Sequence, residues 1–264
     1  QCVLKKIGIL GTGKMGRVLA MGLHRAEAGL EFFLYYPTAK KAEILAAEVQ
    51  GTQVRSLDQL PSLDLMLIAC RPQQFDQLAL ELKGQLKGDE VVLSIMAAVP
   101  TSRLAAKLGV SKIARMMPNT PNKIGLGVNL FYFTPTIALP ERTQILNSFS
   151  LFSSVFHLEK EDQLDLCTAF TGSGPALIFE WARLMIEVLS ERGIAPLEAR
   201  KMVVQTFLGS ATLLATDAKS PAELKQEVSS KGGVTIEALK VFDEAKMKEI
   251  IDEGMMSAKI WEEV

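Results

Sequence analysis

The apolar run Lys5–Leu10 (KKIGIL) passes without a break into Gly11-Thr12-Gly13-Lys14-Met15-Gly16, and an amphipathic stretch follows to near Ala28. A short continuous apolar run, a glycine-rich turn and then a 3.6-residue periodicity read as buried strand, tight bend and helix. In a GxGxxG turn the first glycine makes the bend, the second lets a pyrophosphate reach the backbone, and the third lets helix and strand pack closely. Alone the motif is a weak signal, and a glycine turn without a ligand is the other reading. Its place at the start of a β-α-β unit favours dinucleotide binding, with Gly11, Thr12, Gly13, Lys14, Met15 and Gly16 as the phosphate cradle.

The alternation then continues. Residues 31–36, 63–69, 90–94 and 112–117 read as strands, with helical patterns at 39–49, 73–82 and 102–108 between them. Near-continuous apolar strands linked by helices predict a parallel sheet covered on both faces. Residues 127–133 and 155–158 are expected to extend its edge. From Glu161 onward the pattern is helical to the end. The expected fold is therefore α/β: a Rossmann-type doubly wound sheet in residues 1–160, then an all-helical dimerisation domain in residues 161–264. Dimerisation enters through Ala176–Leu189 (ALIFEWARLMIEVL), which is apolar almost all round. Such a helix is buried on every side, and a domain of about 100 residues encloses little by itself. A second copy is expected to cover it; a helix enclosed by one unusually compact monomer is the alternative.

Composition excludes several classes of function. The formal net charge is -1, which offers no footprint for nucleic acid or an anionic membrane. The apolar runs 65–70 and 91–99 are too short to span a bilayer. Cys2, Cys70 and Cys167 are far apart and lack CxxC spacing, so neither a disulfide framework nor a metal site is expected. No signal peptide is recognised, and a cytoplasmic location is expected.

The cofactor type is read at the end of the second strand, where an acid would hold the ribose 2′-hydroxyl of NAD. Here the chain reads Tyr36-Pro37-Thr38-Ala39-Lys40-Lys41. Hydroxyls and lysines suit a 2′-phosphate better, which favours NADPH over NADH, although Lys40 and Lys41 also fit a solvated helix face. Open α/β sheets bind ligands at strand carboxyl ends. That makes Ala69, Cys70, Arg71, Pro72, Ser94, Met96, Ala97 and Asn119 candidates for the rest of the cofactor, with ordinary turns as the other reading. Asn119 has a donor and an acceptor for a carboxamide.

Familiar acid–base groups are scarce. There are two histidines, His24 and His157, and neither has an evident partner. Many alcohol dehydrogenations use a His, Lys or Tyr as acid or base, whereas an imine nitrogen is already basic and asks for less. The heptad Ser229–Thr235 interrupts the helical region with two adjacent glycines. That is either an inter-helix turn or a close backbone approach to an anion at a helix start.

Four motifs in order, GTGKMG at 11–16, MPNTP at 117–121, TGSGPA at 171–176 and SSKGGVTIEAL at 229–239, resemble those of the pyrroline-5-carboxylate reductases. The resemblance runs through nearly the whole chain and implies reduction of 1-pyrroline-5-carboxylate to L-proline with NAD(P)H. It also implies a homodimer interlocked through the helical domain, which many members assemble further into decamers. By position it assigns the substrate carboxylate to backbone amides of Ser230, Lys231, Gly232, Gly233 and Val234, and the imine nitrogen to the Thr235 hydroxyl, the expected catalytic group. Pro118 and Asn119 fall beside the nicotinamide, where Pro118 is expected to bind the substrate and Asn119 the cofactor. Lys231, Val234 and Thr171 depart from the family's usual Pro, Thr or Ala, and Ser. Rival readings are a reductase of another cyclic imine or of a hydroxy acid, and a non-catalytic NADP(H) sensor. The interface helix carries no lysine between Gly172 and Glu198, which counts against the hydroxy acid.

Overall fold

The first apolar run is paired on both sides. A computed structural model describes residues 4–11, 13–36, 39–229 and 233–258. In it β1 (Lys6–Leu10) leads through the glycine turn into α1 (Lys14–Ala26). Then come β2 (Glu31–Tyr35), α2 (Ala39–Glu48), β3 (Thr52–Gln53), β4 (Leu65–Ile68), α3 (Phe75–Leu82), β5 (Val91–Ser94), α4 (Thr101–Leu108) and β6 (Ile113–Pro118). β7 (Val128–Phe133), α5 (Leu139–Ser150), β8 (Ser154–His157) and α6 (Glu161–Thr171) follow. The first compact unit extends to Gly172, so α6 groups with the sheet although the sequence reading divides the chain after residue 160.

The strand order is β3-β2-β1-β4-β5-β6-β7-β8. Alternate residues serve opposite faces, and both are buried. Ile7, Ile9, Leu65 and Leu67 face a core with Leu19, Leu23, Leu45 and Phe149. Leu10, Met66 and Ile68 face another with Phe75, Leu82 and Leu104. Two buried faces explain why these strands read as unbroken apolar runs.

One expectation needs correction. The sheet is parallel except at β6 and β7, which run antiparallel with Met117 opposite Leu130. Their link is the short 3-10 turn Thr120–Ile124, closed by Gly125 at φ 73°. A parallel return needs a crossover of about a dozen residues or more, and this link has no room for one. α5 supplies such a crossover, and β8 accordingly pairs parallel with β7.

The second unit, Ser173–Ala258, contains α7 (Gly174–Glu191), α8 (Pro196–Thr216), α9 (Pro221–Glu227), α10 (Val234–Glu244) and α11 (Met247–Ser257). α7 packs on α8, and Trp181 meets Phe242 of α10 edge-on, centroids 6.3 Å apart. No residue of α7 is buried within one chain; Phe179 is 65% exposed and Ile178 52%. The helix expected to be enclosed thus carries its apolar surface open in the single chain. Among the described residues no helix is long and apolar enough to cross a membrane.

Candidate active site

The order of the sheet reverses between β1 and β4, and in open α/β sheets the crevice outside the strands' carboxyl ends at that point takes ligands. Gly11 closes β1 there. Its N–H donates to the Tyr35 carbonyl (3.0 Å), its φ is +93°, and a Cβ would lie 2.6 Å from the Cys70 nitrogen. Both the bend and the crowding require glycine. A Cβ on Gly16 would lie 2.9 Å from the Ala69 Cβ, so this glycine lets α1 pack against the end of β4. Gly13 differs. A Cβ there would meet only the Ala69 carbonyl oxygen, at 3.7 Å, an ordinary contact, and no side chain caps the start of α1. Lys14 stands exposed at the first helical position.

Beside this turn lies a cavity of about 270 Å³ lined by Gly11, Tyr35, Tyr36, Cys70, Gln73, Gln77 and Glu81, among others. The Tyr35 hydroxyl donates to Glu81 Oε2 (2.9 Å) and Gln77 Nε2 donates to Glu81 Oε1 (3.0 Å). Burial, then the Glu81 carboxylate, raises the Tyr35 phenol above its usual range. Cys70 is half-buried, its Sγ 3.6 Å from the Met96 sulfur, and burial pushes its thiol up to about 11. It stays protonated at neutral pH and is no nucleophile there. Lys41 Nζ sits 5.5 Å from the Tyr36 ring centroid. Arg17 pairs with Glu48, joining α1 to α2. A wider groove of about 750 Å³ runs along α1, with Lys123 and Phe152 among its walls; only its Lys14 end reaches the glycine turn.

The loops after β5 and β6 are more committed than the sequence suggests. Ser94 and Met96 are buried, and the Met96 N–H donates to the Ser94 hydroxyl (3.2 Å), so what these two offer a ligand is main chain. Ala97 is exposed, and Ala98 is held at φ 58°, a costly conformation that clusters at functional sites. Asn119 accepts from the Val128 N–H at Oδ1 (2.8 Å) and donates from Nδ2 to the Thr171 carbonyl (3.1 Å). Asn122 and Asn129 continue this buried amide network to Ser153.

Comparison with known proteins decides the family. Residues 161–260 match the family model described as pyrroline-5-carboxylate reductase dimerisation. Residues 6–98 match that of the coenzyme F420-dependent NADP oxidoreductases. A curated pyrroline-5-carboxylate reductase from Aquifex aeolicus is 30% identical over 247 residues, 92% of this chain and 91% of its own. The chain belongs to the pyrroline-5-carboxylate reductase family. The Escherichia coli pyrroline-5-carboxylate reductase is 29% identical over 255 residues, 95% of this chain and 94% of its own. The solved structure of a pyrroline-5-carboxylate reductase from Coxiella burnetii superposes with a TM-score of 0.89 at 26% identity, covering 96% of this chain and 95% of that one.

Within this pyrroline-5-carboxylate reductase fold, the turn and strand ends bring Gly11, Gly13, Lys14, Met15, Gly16, Tyr36, Ala69 and Cys70 to the carboxyl edge of the sheet. Arg71 and Pro72 begin the turn into α3, with the Arg71 N–H donating to Gln74 Oε1. In the helical unit Gly233 caps α10, Val234 is 88% exposed and Thr235 is partly exposed in the first turn. Thr12, Pro37, Thr38, Ser230, Lys231 and Gly232 lie outside the described residues. Sequence reading missed the wall formed by Tyr35, Gln73, Gln77 and Glu81. Its signal was present: Gln73, Gln77 and Glu81 recur every four residues, which puts them on one helical face directly after a strand end.

Proposed function

We propose that this chain catalyses the last step of proline biosynthesis, adding a hydride to the imine carbon and a proton to the nitrogen of 1-pyrroline-5-carboxylate to give L-proline. The observation that carries it is the end-to-end similarity to pyrroline-5-carboxylate reductases, together with a glycine turn that leaves room for a pyrophosphate at Gly13. When bound, NADPH supplies the hydride. The open face of Gly13 and the uncapped start of α1 fit its pyrophosphate. The Tyr35–Glu81 cavity fits the adenosine end, and Tyr36 with Lys41 beside it fits a 2′-phosphate better than a bare ribose, since residues 36–41 after β2 include no acid. The match of residues 6–98 to an NADP oxidoreductase model supports the same choice.

The roles in the helical unit rest on the motif 229–239. Backbone amides of Ser230–Val234 bind the carboxylate, with the start of α10 adding the favourable end of its dipole. The Thr235 hydroxyl orients the imine nitrogen and the water that protonates it, since a threonine is a poor acid. Thr235→Val is expected to lower kcat at least tenfold with an unchanged NADPH Kd; equal losses in both would assign the loop to folding. The open apolar surface of α7 and the dimerisation-model match support a homodimer, and light scattering distinguishes it from a decamer of five such dimers. Free Cys70 and Cys167 suit a cytoplasmic setting.

The deciding experiment follows NADPH oxidation with 1-pyrroline-5-carboxylate, with NADH in parallel. Oxidation dependent on the imine supports the reading. NADPH binding without turnover overturns it in favour of a sensor or another imine.

A further inference from the structure

We infer that Arg115, Glu161, Asp165 and Thr101 form a positioning cluster that fixes, relative to one another, α6, the end of β6 and the β5–α4 loop, the last two of which carry the cofactor candidates Asn119 and Ala97. This rests on the reductase reading above.

Arg115 lies in the middle of β6 and is only 1% exposed. Its Nη1 donates to Glu161 Oε1 (3.0 Å) and its Nη2 to Asp165 Oδ1 (2.9 Å). Glu161 and Asp165 stand one turn apart at the start of α6, which turns both carboxylates to the same strand. Glu161 is shared further. Its Oε1 accepts from the Thr101 N–H (2.7 Å) and its Oε2 from the Thr101 hydroxyl (2.6 Å). Thr101 opens α4 directly after the loop that carries Ala97 and the strained Ala98.

The far end of α6 is held by the same strand, because Asn119, just past β6, donates to the Thr171 carbonyl. From Arg115 to Asn119 is about 13 Å of strand, and from the Glu161–Asp165 turn to Thr171 is about 12 Å of helix, at about 3.3 and 1.5 Å per residue. The helix is therefore clamped in register at two points along one strand, and Glu161 extends the clamp to the β5–α4 loop. Desolvation largely offsets the attraction in a buried ion pair, and well-packed apolar residues often replace one without loss of stability. What this cluster supplies is one geometry. Hydride transfer needs that, since reacting atoms must meet at about 3–3.5 Å and a shift of about 1 Å costs rate steeply.

The test uses the full-length enzyme with Glu161→Ala, Glu161→Gln and Thr101→Val. NADPH Kd is read by fluorescence titration, kcat and KM with pyrroline-5-carboxylate, and the isotope effect with NADPH deuterated at the transferred position. Glu161→Ala is expected to lower kcat about 10- to 100-fold, leave NADPH Kd within about twofold and raise the isotope effect as hydride transfer becomes slowest. Glu161→Gln, which keeps an acceptor for Arg115, recovers part of the loss. Where Glu161→Ala does not fold, Thr101→Val decides, because it removes one hydroxyl bond and leaves the ion pairs. A several-fold lower kcat with a raised isotope effect supports the proposal. Wild-type kinetics in Thr101→Val, or a parallel loss of NADPH affinity in the folded variants, overturns it. A wild-type enzyme inactive on the imine would instead remove the reductase reading itself.

Discussion

Gly11 and Gly13 share a side chain for different reasons, and alanine separates them. At Gly11 the positive φ and the 2.6 Å approach to Cys70 mean that Gly11→Ala strains the turn itself; a fall in Tm together with lost NADPH binding is expected. Gly13→Ala meets no neighbour closer than 3.7 Å and is expected to cost about 1 kcal/mol or less of stability, while NADPH Kd rises about tenfold or more because the methyl stands where a pyrophosphate must approach. Calorimetry and titration on the two variants check both statements. Cys70 gives a prediction in pH. Its thiol is raised to about 11 from a reference of 9.0, so alkylation measured by mass spectrometry stays slow at pH 7–8 and accelerates only on approaching the raised value. The sign for stability follows from the same shift. The neutral thiol favours the folded state fully below pH 9, and that contribution is lost as pH rises from 9 towards 11. Gly11 and Gly16 were legible because a positive φ at one and close packing at the other favour glycine, and Gly13 because the motif reserves its place for a pyrophosphate. The bonding of Asn119 was not legible, because the groups its amide meets, Val128 and Thr171, are neighbours only in the fold.

Among the elements, α7 holds the sharpest expectation. Within one chain none of its apolar side chains is fully buried, so Phe179→Glu is expected to leave the sheet unit folded and shift the enzyme toward monomer, read by light scattering. A dimer that survives unchanged would place the interface elsewhere. The strands of the sheet announced themselves because two buried faces leave no polar alternation to confuse them. α5 did not: its stretch Leu139–Ser150 (LPERTQILNSFS) buries only Ile145, Ser148 and Phe149, too few for a clear periodicity. The antiparallel turn of β7 was hidden for another reason. Strand direction depends on the length of the link, and residues 119–127 carry turn signals without saying which way the chain returns. β3, two residues long, is below the length at which periodicity means anything.

For the whole molecule, the division between what holds itself together and what does not is uneven. The sheet unit buries two extensive apolar clusters, whereas few residues of the helical unit, such as Ala199, Val203 and Met255, are buried within one chain. A protein completed by a second copy has a stability that depends on its concentration. Diluting the enzyme a hundredfold is therefore expected to lower its melting temperature by several degrees, whereas a self-sufficient monomer would melt at one temperature throughout. The two-unit plan could be read from the change of periodicity near residue 160. The packing of α6 with the sheet could not, since Leu164 against Met117 and Leu130, and buried Arg115 with Glu161 and Asp165, join residues far apart in the chain.

The bare surface of α7 also ties the protein to its own rate of manufacture. On the proposed homodimer, a newly made chain with Leu177, Ile178 and Phe179 facing water must meet a sibling before chaperones and proteases act on it. Active enzyme would then rise more steeply than the number of chains produced, and a modest cut in synthesis would thin the working pool by more than its share.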